Sequence, residues 1–130
     1  MKINKTELLV VNNKEYHCVL DLTMAYIGGK WKSIILWYLR DDKKRFGELR
    51  KLIPDITERM LTLQLRGLEK DGLVDRKIFA VVPPKVEYKL TGLGISIIPV
   101  VEEMAKWGKM IARIQGKGKS PCKGSSKNKK

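Results

Sequence analysis

Three cations, Arg59, Arg66 and Lys70, are spaced so that a helix would gather them on one side. With Thr57 as origin and about 100° per residue, they fall at roughly 200°, 180° and 220°. Leu61, Leu65 and Leu68 fall opposite, at roughly 40°, 80° and 20°, a narrow apolar stripe that must face a core. Thr62 and Leu63 flank the cations, at roughly 140° and 240°. Arg66 and Lys70 form an i,i+4 like-charge pair, which destabilises an isolated helix by roughly 0.2–0.5 kcal/mol. An anion in front of that face removes the conflict, and the arginine fork matches the O6 and N7 edge of guanine. A solvated face with surplus cations is the plain alternative for the same spacing. Catalytic chemistry has little to work with. His17 is the single histidine, Cys18 and Cys122 are the two cysteines, and there is no nucleophile elbow or phosphate-cradling glycine loop. No enzyme activity, metal site or cofactor is therefore expected.

The charge balance points the same way. Among 130 residues, 27 Lys and Arg stand against 14 Asp and Glu, a net charge of +13. Residues 115–130 hold six of those lysines and no acid, leaving +7 on residues 1–114, so the body is basic on its own account. Such a balance favours a polyanion, nucleic acid before a membrane surface. The apolar run Ile95–Val101 is interrupted by Ser96 and Pro99, far short of the roughly 20 residues that span a bilayer. The start, MKINKTELLVV, has too short an apolar run for a secretion signal. No membrane association is expected, and a cytoplasmic location is. The cysteines are too few and too distant for a disulfide framework.

The elements that would position these groups read mostly as helices. Val19, Leu22, Ala25 and Tyr26 give a short helix stopped at Gly28-Gly29. A second starts at Lys30-Trp31 with Trp31, Ile35, Tyr38 and Leu39 on one side. Phe46, Leu49, Leu52 and Ile53 give a third, facing inward and closed by Pro54. Thr57 caps the fourth, which carries the cations and closes at Asp71-Gly72. It lacks a capping box, because Met60 stands at the third helical position. Then the period changes: Val86, Tyr88 and Leu90 alternate with Lys85, Glu87 and Lys89, a half-buried strand whose antiparallel partner is 73–79. Thr91 caps a last helix with Leu93, Ile97, Val100, Val101, Met104, Trp107, Ile111 and Ile114 at 3- and 4-residue steps. Gly94 and Pro99 weaken its first turns. The expected fold is mainly α with a small β-hairpin wing, a winged helix-turn-helix followed by a long C-terminal helix. Residues 1–17 read as an arm, 18–114 as the domain, and 115–130 as a disordered basic tail. Arg45, Arg50 and Lys51 before the fourth helix, and Arg76, Lys77, Lys85 and Lys89 in the hairpin, are placed for backbone phosphates.

GGKWKSIIL (28–36), RFGELRKLIPDITERMLTLQLRGLEKDGLVDR (45–76), VPPKVEYKLTGLG (82–94) and Trp107-Gly108 are similar, in order and spacing, to the HxlR-type winged helix regulators, a branch of the MarR-like transcription factors. The resemblance covers roughly residues 18–110 and rests on four separate motifs. It implies a homodimeric DNA-binding transcriptional regulator, with 57–70 as the recognition helix, 73–90 as the wing, and dimerisation through the terminal helices. Repression is the family habit. Two positions depart from the pattern. Leu63 stands where a polar residue is common, leaving base preference open, and Cys18-Val19 replaces a frequent Cys-Pro.

The apolar stripe of the last helix needs a partner of its own. A two-fold dimer through Val100, Met104, Trp107, Met110, Ile111 and Ile114, with LLVV (8–11) a candidate to join, is expected. It would set two recognition helices about 34–36 Å apart over an inverted repeat in double-stranded DNA. Packing within a single chain is the alternative. Cys18, beside His17 at the start of the first helix, is a candidate redox or electrophile sensor, since a helix N-terminus and a nearby cation both lower a thiol's pKa. The resemblance includes members that sense through a cysteine in this region, so a redox or small-molecule effector is compatible with it. A small, inert, buried cysteine is the competing reading. The competing function is a nucleoid-like or RNA-binding protein that binds without sequence choice.

Overall fold

Asn12 and Asn13 turn the chain into its first hairpin. Strands β1 (Leu9–Val11) and β2 (Lys14–Tyr16) pair antiparallel, Leu9 opposite Tyr16, and both asparagines sit at positive φ, 51° and 66°. That conformation suits a two-residue turn whose twist matches the strands. The arm expected over 1–17 is thus in part a hairpin. The computed structural model describes residues 8–116. Residues 1–7 and 117–130, with the lysine-rich tail and Cys122, lie outside the described residues.

The helices follow the expected order: α1 (Val19–Ile27), α2 (Lys32–Leu39), α3 (Phe46–Leu52), α4 (Glu58–Lys70) and α5 (Gly92–Gln115). Strands β4 (Val74–Phe79) and β5 (Lys85–Leu90) form the wing, with Val74 opposite Leu90 and Phe79 opposite Lys85. A two-residue strand, β3 (Lys44–Arg45), adds to the other edge of β5, so the sheet runs β3-β5-β4. This third strand is invisible to periodicity because two residues cannot show an alternation. The architecture is a winged helix-turn-helix with a long terminal helix.

The core centres on α2, α3 and α4: Ile35, Leu36, Leu49, Leu61, Leu65 and Leu68 are fully enclosed. Several expected core positions move. In α1 only the last turn reaches the core, so Ile27 is buried while Val19 and Ala25 are exposed. In α3, Leu52 is 38% exposed, because the helix ends there and the extended Ile53, with Ile56, fills the inward direction instead. In α5 the residues against the core are Gly94, Ile98 and Val101. They lie about a third of a turn from the stripe of Leu93, Val100, Met104, Trp107 and Ile114, which faces outward. Gly94 is required where it stands, since the Leu73 carbonyl occupies the place of a Cβ. Thr91 anchors this crossing, its hydroxyl accepting from the Gly94 N–H at 3.0 Å and donating to the Gly72 carbonyl. Among the described residues no helix is long and apolar enough to cross a membrane.

Candidate nucleic-acid interface

Helix α4 is held at both ends by its own sequence. The Thr57 hydroxyl accepts from the Met60 N–H at 3.0 Å, satisfying one of the free donors of the first turn. At the other end the Leu73 N–H reaches the Leu68 carbonyl at 2.9 Å and the Gly72 N–H reaches Glu69 at 3.0 Å. This is a Schellman closure, with Gly72 at φ +80° as its left-handed residue. The turn into α4 is pinned by two buried isoleucines, Ile53 and Ile56, on either side of Pro54-Asp55. With Leu61, Leu65 and Leu68 locked inward, Arg59, Leu63, Arg66 and Lys70 are all exposed, and Leu63 keeps 59% of its surface. Thr57 lies exposed at the tip, and half-buried Thr62 donates its hydroxyl to the Glu58 carbonyl at 2.9 Å. Thr62 is therefore left with acceptor capacity toward a ligand.

The surrounding cations divide by whether a carboxylate already holds them. Arg45, Lys51, Arg59, Arg66, Lys70 and Lys89 are exposed and have no ion pair among the described residues. Arg45 sits where β3 becomes α3, its backbone N–H bound to Glu48 Oε1 at 2.7 Å, which fixes where its side chain leaves the chain. Arg50, in contrast, has Nη1 3.9 Å from Glu58, Arg76 has Nε 3.3 Å from Glu69, and Lys85 lies 3.8 Å from Glu87. Lys77 stands 5.0 Å from the centre of the Phe79 ring. The Arg76–Glu69 pair links the wing to α4. Beside it, burial pushes the Tyr88 phenol up, against the pull of Arg76, so the ring stays neutral as a wall between helix and wing. Sequence reasoning placed the cations but not these acids. Glu58 and Glu69 stand eight residues from Arg50 and seven from Arg76, across turns whose geometry periodicity does not report. Two sets of cations result: Arg59, Arg66 and Lys70 on α4, exposed and with no ion pair among the described residues, and Arg50, Arg76 and Lys85, each held by a carboxylate.

Cys18 is the N-cap of α1 and half-buried, as its place in the sequence suggested. The first turn also contains Asp21, whose carboxylate accepts the His17 N–H at 2.8 Å, so this helix end already has an anionic partner. Among the described residues, no group of three or more His, Cys, Asp or Glu side chains could hold a metal.

A second surface is apolar. Val100, Met104, Met110, Trp107 and Ile114 of α5 are exposed, Trp107 to 63%, and Ile111 is half-buried. From Ile97 the steps run alternately three and four residues to Ile114, the spacing of a helix–helix seam. Val19, Leu20 and Met24 of α1 are exposed as well.

Comparison with known proteins agrees with this geometry. Residues 26–115 match the HxlR-like helix-turn-helix family. The chain is 56% identical over 91 residues to the HTH-type transcriptional regulator YdeP of Bacillus subtilis, covering 70% of this chain and 71% of YdeP. An HTH-type transcriptional regulator of Methanothermobacter thermautotrophicus is 48% identical over 105 residues, covering 81% of this chain and 80% of that protein. Among solved structures, the redox regulator HypR in its oxidized form superposes with a TM-score of 0.70 at 52% identity, covering 72% of this chain and 96% of HypR.

Proposed function

Because the chain belongs to the HxlR-like helix-turn-helix family, whose members matched here are transcriptional regulators, we propose that it is a sequence-specific repressor binding an inverted-repeat operator as a homodimer. One observation carries the reading. The α4 edge formed by Arg59, Arg66 and Lys70 is exposed and has no ion pair among the described residues, while its opposite side is fully enclosed. Arginine there supplies base readout, while Arg45, Lys51 and Lys89 contribute affinity through phosphates. Arg76, paired with Glu69, links the wing to α4, and the braced Arg50 and Lys85, with Lys77, add long-range attraction. The seam on α5 supplies the two-fold partner, and repression follows from a dimer that occupies promoter DNA.

The test is competition. Excess random duplex at moderate salt leaves a specific regulator on its selected site and strips a nonspecific binder from it. Retention supports the proposal, and loss supports a nucleoid-like or RNA-binding protein instead.

Cys18 is the proposed sensor of this regulator. Its half-buried thiol lies on the N-cap of α1, next to the exposed apolar side of that helix. The redox function named for HypR is consistent with that role. Diamide takes two electrons and two protons as the thiol joins a second thiol in a disulfide. Release of operator DNA by diamide in the wild type but not in Cys18→Ser supports sensing. Equal release from both contradicts it.

A further inference from the structure

The wing has a feature that the phosphate-binding role does not use. Residues 78–84, IFAVVPP, contain no charged side chain, in a chain where 32% of residues are charged. Ile78 and Phe79 end β4, and residues 80–84 form the tip of the hairpin beyond the last pair, Phe79 with Lys85. The segment's aliphatic groups stand in solvent: Ile78 and Val81 are more than half exposed, and Val82 is 99% exposed. A wing that met its partner by charge alone would carry lysine or arginine there. Cations are instead gathered just behind the tip. The ammonium groups of Lys77 and Lys85 lie 5.0 and 4.4 Å from the centre of the Phe79 ring, a collar of two positive charges around an aromatic post.

We infer that the wing tip is an apolar wedge that enters the DNA minor groove and opens a base step, with Val81, Val82 and Pro83 as its edge. This inference rests on the reading of the chain as a specific DNA-binding protein. Two observations favour DNA over a protein partner. The collar is opposite in sign to the phosphates that line both rims of the groove, and these would meet Lys77, and Lys85 in competition with Glu87 at 3.8 Å, as the tip enters. The wing that carries the tip is tied to α4, Arg76 Nε standing 3.3 Å from Glu69 Oε1. Apolar side chains inserted between base steps kink DNA by about 20–90° toward the major groove. The consequence is a preference for flexible pyrimidine–purine steps beside each half-site, at positions that no arginine touches.

The experiment uses the full chain and the tightest duplex recovered by in vitro selection from a random library, labelled at both ends for energy transfer. Wild-type protein is expected to shorten the end-to-end distance, to the equivalent of tens of degrees of bend. The double variant Val81→Ser, Val82→Ser should lose most of that bend while its salt slope stays the same, since no cation is removed. Val82→Lys separates the wedge from a simple electrostatic wing. It should tighten binding to random duplex, by adding a phosphate contact, yet still lose the bend. A straight wild-type complex on a duplex bound in preference to random DNA overturns the wedge alone. Equal bending by wild type and both variants does the same. A wild-type protein with no preference for the selected duplex overturns the specific-regulator reading beneath it.

Discussion

Replacing Arg66 by alanine isolates base readout from every other role in the molecule. Arg66 is exposed on the outer side of α4 and has no ion pair among the described residues, so its loss leaves no buried group unsatisfied. Removing it also relieves the like-charge pair with Lys70, worth roughly 0.2–0.5 kcal/mol to the helix. The thermal midpoint should therefore stay level or rise slightly. A bidentate arginine–guanine contact discriminates by about 1–3 kcal/mol. A two-fold dimer carries two such arginines, so preference for the selected duplex over random DNA should fall by about 2–6 kcal/mol, or roughly 30-fold to 10⁴-fold. Fluorescence anisotropy on both duplexes at one salt concentration reads this directly. Arg66→Lys should keep the general attraction while losing most of the preference, because an ammonium lacks the planar fork. If Arg66→Ala weakens both duplexes equally, the arginine is a phosphate contact and the assignment of readout to this edge is refuted.

Lys89→Ala should weaken all sequences alike and reduce the salt slope by about one unit per half-site, measured by titrating binding against salt. Trp107→Glu should leave the fold intact and convert the particle from twice 14.9 kDa to 14.9 kDa in sedimentation, with operator affinity falling in step. Thr57→Ala should destabilise the protein by about 0.5–2 kcal/mol in denaturant unfolding, because the Met60 N–H loses its acceptor. Gly94→Ala should destabilise by about 1–3 kcal/mol, since its methyl group must displace the Leu73 carbonyl or move α5.

Helix α4 was legible in the sequence because three independent signals agree there: a Thr57 cap, an apolar stripe at helical spacing, and Asp71-Gly72 at its end. The wing was legible for the same reason, since β5 alternates strictly and β4 supplies its partner. What periodicity could not settle is which of two apolar sides of α5 faces inward. Gly94, Ile98 and Val101 form the inner row because the Leu73 backbone approaches where Gly94 has no side chain. A glycine inside an apolar helix signals such an approach but not its direction. The braced and unpaired cations were likewise indistinguishable by type. Arg76 and Arg66 differ only in that the turn at Gly72 returns the wing to Glu69, a tertiary relation with no footprint in local spacing. The first hairpin and β3 lay below the length at which alternation becomes a pattern.

The central claim is that the outer edge of α4 enters a duplex groove, twice per dimer. It is tested most directly by a DNA-cleaving iron chelate attached through Leu63→Cys, in protein whose Cys18 and Cys122 are serine. Leu63 flanks the cations on the exposed side, so the chelate marks where that edge rests. Two clusters of major-groove cleavage, centred about one helical turn or 34–36 Å apart on the selected duplex, are predicted. Cleavage spread evenly along the duplex, confined to one cluster, or absent while the protein stays bound would contradict it.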